Sequence, residues 1–335
     1  MTLIPRLGGF RVLNGVDKVS VITSENAAPS PAELLRVLSE ARINLAYLTY
    51  IHQASTWGLN IAVEPEGQNE VAGAVKSYPG LAFSVSPARA ILSIFPHKKS
   101  LEITSSLLEL FNHHQLELDG LANSPSAISV ILKEKLVSSA SRALFEPFTF
   151  RSYRSPADWK LAQKGKEQLY KEVVASYQEK KPKVYGLLCH EGQELESVRL
   201  EKKEISAFGK TFRKLSRLGL TLTFIATAPY REPGKEMLAF CLPRSRQLTG
   251  DLIPQGFLTQ SLSPVSVFSM NGPHFGDRYG IANELLTNLE EKGINLLALS
   301  CTIASVTGVV HSRQLTSCID AIRRCFDVPS VINKE

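Results

Sequence analysis

Hydrophobic and polar positions along this chain fall into one rhythm that recurs four times. A run with β-type alternation leads through a turn into an amphipathic helix of about three turns, and two more β-type runs follow. A second helical stretch and usually a short last strand close each repeat. In the first repeat, Lys18-Val-Ser-Val-Ile-Thr23 precedes a helix over 31–41, in which Leu34, Leu35 and Leu38 share a face. Ser30 before Pro31 has the form of an N-cap with proline at the first helical position. The runs 44–51 and 56–63 alternate as half-buried strands do. A helix over 68–78 and a strand over 81–85 complete the repeat.

The second repeat starts at Ala90-Ile-Leu-Ser-Ile-Phe95, with helices over 101–113 and 136–145 and strands over 116–121 and 127–132. The fourth starts at Val265-Ser-Val-Phe-Ser-Met270, with helices over 281–292 and 313–325 and strands over 296–300 and 304–310. The third is the least regular. It has strands over 184–188, 220–226 and 237–242 and a helix over 204–218, and Pro243, Gly250 and Pro254 interrupt the place of its second helix. Between the second and third repeats, residues 155–183 carry many charges and no strand pattern. Trp159, Ala162, Leu169, Val173 and Tyr177 fall near one face there, which predicts an amphipathic connecting helix.

The expected fold is therefore α+β: four ferredoxin-like βαββαβ units arranged as two pairs, one in each half of the chain. The expected boundaries are 10–86, 87–152, a helical linker over 153–181, 182–262 and 263–335. A unit of about 70 residues buries only about 60% of its unfolded surface, so such units gain stability by pairing. Intramolecular pairs and a further homodimer are expected.

Composition narrows the function classes. The net charge of +6 is modest and concentrated in 160–183, and no basic face interleaved with aromatics appears, which argues against a nucleic-acid partner. No apolar run approaches the roughly 18 residues of a membrane span, and the N-terminus lacks the apolar core of a signal peptide. The five cysteines form no CxxC pair, as expected of free thiols in a reducing cytoplasm. His113 and His114 point about 100° apart on a helix, and no carboxylate or cysteine stands at ligand spacing, so no metal is expected. No cofactor motif is present. His190, Glu191 and Glu194 read as a solvated turn, and no Ser-His-Asp or paired-carboxylate arrangement can be assembled.

The fourth repeat carries the most specific pattern. Tyr279-Gly280 ends its first turn, and Ile281-Ala282 opens the helix. Leu285, Leu286 and Leu289 follow, and Gly293-Ile294-Asn295 opens the second strand. Ile43-Asn44 recurs at that place in the first repeat. In these residues the chain resembles ACT domains, and most closely the tandem regulatory ACT domains of aspartokinases. Ser124-Pro-Ser-Ala-Ile-Ser129 resembles the third strand of their second unit. The resemblance covers most of 15–150 and 263–332. Asn26-Ala-Ala-Pro-Ser30 departs from it by lacking a glycine. Tyr50 and Cys301 stand where glutamine is frequent, and Leu116-Glu-Leu-Asp119 replaces the Ile-Asn pair. Leu7-Gly-Gly-Phe10 is only an echo of the phosphate-binding strand that opens the kinase domain.

The resemblance implies a regulatory sensor that binds a small amino acid where two units meet, with no kinase domain and no catalytic residues, hence not an enzyme. The carboxylate of the ligand would lie against the first turn and the N-terminus of the first helix. The implied ligand-binding residues are Asp277, Arg278, Tyr279, Gly280, Ile281 and Asn295 in the fourth repeat. In the first they are Asn26, Ala27, Ala28, Pro29, Ser30 and Asn44. Turn chemistry alone also accounts for these residue types. Such a sensor would modulate aspartate-family amino-acid metabolism, alone or through a partner enzyme. The alternative is a non-catalytic structural or partner protein whose ligand sites have decayed.

Overall fold

The computed structural model describes residues 4–23, 29–96, 100–151, 153–163, 181–244, 253, 257–272, 275, 279–303 and 305–334. Four β-α-β-β runs follow one another. The first comprises β1 (Arg6–Thr23), α1 (Pro31–Glu40), β2 (Tyr47–Gln53) and β3 (Thr56–Val63), then α2 (Gln68–Lys76). The second comprises β4 (Leu81–Pro96), α3 (Leu101–His113), β5 (Gly120–Asn123) and β6 (Ile128–Lys133), then α4 (Val137–Ala143), β7 (Thr149–Phe150) and α5 (Pro156–Gln163). The third comprises β8 (Gly186–Glu201), α6 (Gly209–Arg217), β9 (Phe224–Pro229) and β10 (Lys235–Pro243). The fourth comprises β11 (Leu258–Asn271), α7 (Ile281–Glu291), β12 (Leu296–Thr302) and β13 (Ser305–His311), then α8 (Leu315–Cys325) and β14 (Val331–Lys334). The expected linker helix is present as α5, and its remainder over 164–180 lies outside the described residues, as does most of the doubtful helix after Pro243. Among the described residues no helix is long and apolar enough to cross a membrane.

Local sequence explains the helices that matter most. Ser30 caps α1 in a capping box: its hydroxyl accepts from Glu33 N–H, and the Glu33 carboxylate accepts from Ser30 N–H. Leu34, Leu35 and Leu38 are then buried, as Leu285, Leu286 and Leu289 are in α7.

The strands depart from expectation in two ways. First, β1 begins at Arg6, and β8 runs on through Glu201, so His190, Glu191 and Glu194 lie within a strand and not in a turn. Four long strands each serve two or three partners, β7 lying parallel to the start of β1 and β14 parallel to the start of β8. Residues 16–23 of β1 pair with β3 and with the first half of β4, whereas residues 7–13 pair with the second half of β4, which also pairs with β6. In the other half of the chain, β8 pairs with β11 along both strands, and its second half pairs with β10. Each crossing shows register shifts, near Gly15 in β1 and near Pro264 in β11, where the added residues turn the strand. The expected boundary at 86/87 falls inside β4.

Second, the pairing between repeats is crosswise. β2 pairs antiparallel with β12, and β5 meets β9 at Ala122–Ala226. The first repeat thus joins the fourth, and the second joins the third. The expectation that each half of the chain forms its own pair is corrected by the cores as well. One apolar cluster combines Leu34, Leu59 and Val71 with Leu285, Leu299 and Cys318, and another combines Leu107, Phe111 and Val130 with Phe208, Phe212 and Phe240. Because β10 bonds both β9 and β8, the strand order closes into a cycle.

The cycle is pressed flat, with helices outside and the two inner sheet faces in contact through Ile51, Phe224, Ala226, Val267 and Ala298. β2, β3, β9, β12 and β13 are consequently buried on both faces and not half-buried. Their polar residues bond across the layer. Thr49 Oγ1 donates to Thr227 O at 2.6 Å, Asn60 Nδ2 to the same oxygen at 3.2 Å, and Ser300 Oγ to Asn123 O at 2.8 Å.

An ionic group lies where three repeats meet. Lys18, fully buried, donates to Asp119 O and stands 3.5 Å from Glu236 Oε1, itself 2% exposed. Arg89 and Lys202 lie 2.6 and 3.3 Å from the Asp119 carboxylate. Burial lowers the Lys18 pKa, and Glu236 opposes that shift. Removing one partner of a buried ion pair leaves the other charge uncompensated, at about 3–5 kcal/mol. Lys18→Ala is expected to lower the unfolding free energy, measured by urea denaturation, by that order. A change under about 0.5 kcal/mol, the size of an ordinary surface substitution, would show that the group holds nothing together.

Candidate functional site

Two clefts lie on the seam between the first and fourth repeats, where α1 packs against α7. The first cleft, of ≈ 40 Å³, is walled on one side by Leu35, Leu38, Ser39, Asn44 and Leu48. Tyr279, Gly280, Ile281, Cys301 and Val306 form the other side. The second, of ≈ 270 Å³, sets Pro29, Ser30, Tyr50, His52 and Trp57 against Leu289, Glu290, Ile294 and Asn295. The repeats are equivalent across the seam: Ser39 answers to Glu290, Asn44 to Asn295, and Tyr50 to Cys301.

Gly280 is the N-cap of α7 at φ 88°, with no side-chain cap. A Cβ there would be strained at this φ and would stand 2.6 Å from Ser39 Oγ, so α1 approaches this turn closely and any side chain at 280 requires the Ser39 side chain to give way. Glu284 N–H closes onto Gly280 O at 2.8 Å. Among the described residues no partner is seen for the N–H groups of 281–283, at the positive end of the helix beside the cleft. Asn44 stands exposed at its edge. Burial pushes the Cys301 thiol up to about 12, so it lines the cleft as a neutral group.

The second cleft differs at the helix end. Ser30 Oγ donates to Glu290 Oε2 at 2.9 Å, and Ala32 N–H donates to the same carboxylate. Partial burial of that carboxylate raises its pKa, against these two hydrogen bonds and with Glu33 adding to the rise. Trp57 Nε1 donates to Pro29 O at 3.2 Å and fixes the turn before α1. Asn295 is held by its backbone, its N–H 3.4 Å from Gln314 Oε1.

The structure thus separates the residues read from sequence into two sites and mixes the repeats within each. Tyr279, Gly280 and Ile281 meet Asn44, while Pro29 and Ser30 meet Asn295. Among the described residues of its own turn, Tyr279 and Gly280 line the other cleft from Asn295. Asp277, Arg278, Asn26, Ala27 and Ala28 lie outside the described residues. Ser39, Glu290, Trp57 and His52 were missed. Superposing the two clearest repeats by their Ile-Asn pairs would have exposed Ser39 and Glu290, as they precede those pairs at equal distance.

On the other seam α3 packs against α6. Ser105 Oγ donates to Gly209 O at 2.9 Å, and Arg213 binds Glu109 and Ser106, both at 2.8 Å. Asp119, near the site of the Asn pair in the second repeat, belongs to the ionic group. His114 Nε2 pairs with Glu146 at 2.9 Å.

Mixed helices around one large sheet are the architecture of aspartate kinases. The aspartate kinase from Synechocystis superposes at a TM-score of 0.76 with 12% identity, over 97% of this chain and 57% of that one. The chain therefore spans somewhat over half the length of that enzyme. The ligand-free regulatory subunit of aspartate kinase from Thermus thermophilus matches over 43% of this chain and 99% of its own, with 18% identity and a TM-score of 0.38. The aspartate kinase from Clostridium acetobutylicum matches over 45% of this chain and 37% of its own, at 14% identity and a TM-score of 0.36. No protein-family model and no curated protein matches the chain. At 12% identity the first match shows a shared fold. It also contradicts the expectation that the chain is not an enzyme, because the protein whose fold it follows over 97% of its length is named an aspartate kinase.

The seam has a direct test. A Cβ at 280 would lie 3.7 Å from Ser39 Cβ, within the range of a disulfide. The double variant Ser39→Cys and Gly280→Cys is expected to cross-link on mild oxidation, giving a faster-migrating band on a non-reducing gel. No cross-link would place α1 and α7 apart.

Proposed function

We propose that this chain binds a small α-amino acid between the α7 N-terminus and Asn44, and that occupancy regulates an aspartate-kinase-type activity in aspartate-family amino-acid metabolism. The observation that carries this reading is the convergence of the glycine-capped end of α7 with Asn44 across the seam. Helix N–H groups suit the ligand carboxylate, and an asparagine side chain offers both a donor and an acceptor for the rest.

In this reading the four β-α-β-β runs are ACT-type units. The ligand bridges the first and the fourth, so it favours the arrangement in which the seam is closed. The response passes to the other sheet through the long strands that both sheets share, and from there to a second copy of the chain or a partner enzyme. A cytoplasmic setting suits the five free thiols, three of them buried.

Thermal shift against the twenty common amino acids tests the reading. A true ligand at about 100 times its dissociation constant adds about 2.7 kcal/mol of stability. Asn44→Ala should then weaken its binding about ten- to hundredfold, the worth of one hydrogen bond to a charged group at about 1.5–3 kcal/mol. Asn295→Ala should leave that affinity unchanged, since Asn295 lines the other cleft. Equal effects of the two substitutions, or no stabilising amino acid, would refute it.

A further inference from the structure

The two clefts are equivalent in backbone and unequal in chemistry, and the difference lies in one pair of positions. Against the end of α7 stands Ser39, short and neutral, within reach of the Gly280 backbone. Against the end of α1 stands Glu290, whose carboxylate already accepts from Ser30 Oγ and from Ala32 N–H. The remaining N–H groups of the α1 end are also taken. Pro31 has none, Glu33 N–H donates to Ser30 Oγ at 3.2 Å, and Leu34 N–H reaches Ser30 O at 3.5 Å.

We infer that Glu290 is a built-in ligand: its carboxylate occupies the α1 end in place of an amino acid, so the chain takes one amino acid where its internal symmetry offers two sites. The inference rests on the proposed amino-acid binding at the α7 end. A second carboxylate entering beside Glu290 would find no free N–H and would face two like charges, Glu290 and Glu33. The larger volume of this cleft does not compensate, because the anchoring end is filled. Glu290 also fastens the fourth repeat to the first without any ligand, which leaves the α7 end as the responsive half of the seam.

Exchanging the two residues tests this. Calorimetric titration would use the amino acid that stabilises the wild type most in the twenty-member panel. One equivalent per chain is expected for the wild type and two for Glu290→Ser. Ser39→Glu, which sets a carboxylate against the α7 end, should bind at least tenfold more weakly, and the double exchange should restore one equivalent at the other cleft. The seam is held by β2–β12 pairing apart from the Glu290 contacts, so the loss of Glu290 should leave the fold intact, and Ser39→Glu tests the same rule in the opposite direction. Two equivalents in the wild type, or one in Glu290→Ser, would overturn the built-in ligand while leaving amino-acid binding standing. No binding in the wild type or in any variant would overturn the functional reading itself, and this inference with it.

Discussion

The arrangement depends on four strands that do not stay in one sheet. β1 with β4, and β8 with β11, run as antiparallel pairs from one layer into the other, bending at register shifts on the way. A strand committed to two sheets fixes where both must lie. Once both pairs are in place, the first repeat can complete its sheet only with the fourth, and the second only with the third, because those are the partners left in the same layer. The closed strand order removes most free edges, which are the part of a sheet most exposed to unwanted pairing. The cores follow the same rule, each built from two repeats that are distant in the chain.

Crosswise pairing also makes the candidate sites. A helix end from the fourth repeat meets the strand opening of the first, and the reverse holds in the second cleft. Neither site exists within one repeat or within one half of the chain. A ligand at such a seam senses the assembly of the whole molecule, because separating the walls of the cleft means parting β2 from β12. The equivalent seam between α3 and α6 is closed by Arg213 and its carboxylate and hydroxyl partners, and Asp119 is committed to the buried ions.

Much of this was legible in the sequence. The N-cap serine before Pro31 and the leucines of α1 and α7 gave both helices in nearly their observed bounds, and the Ile-Asn pairs lie one to three residues before the second strands, which begin at Tyr47 and Leu296. Three features were not legible. Residues 6–13 of β1 and 193–201 of β8 fall in no strand expected from the pattern, since glycines and charged residues interrupt their alternation; their strand character comes from partners far along the chain. The burial of β2 and β12 on both faces could not be read from alternation, because the second face is covered by another sheet carrying serine, threonine and asparagine. Finally, the partner of Asn44 follows from which repeats pair, and no local pattern encodes that choice.

The most direct test of the account is hydrogen exchange with and without the amino acid that stabilises the protein. Amide groups of 281–283 and of 43–46 belong to different repeats, and they line one cleft only if the pairing is crosswise. The account requires both segments to slow together on ligand addition, with 32–34 unchanged behind Glu290. Slowing of 281–283 together with 294–296, and none at 43–46, would contradict it.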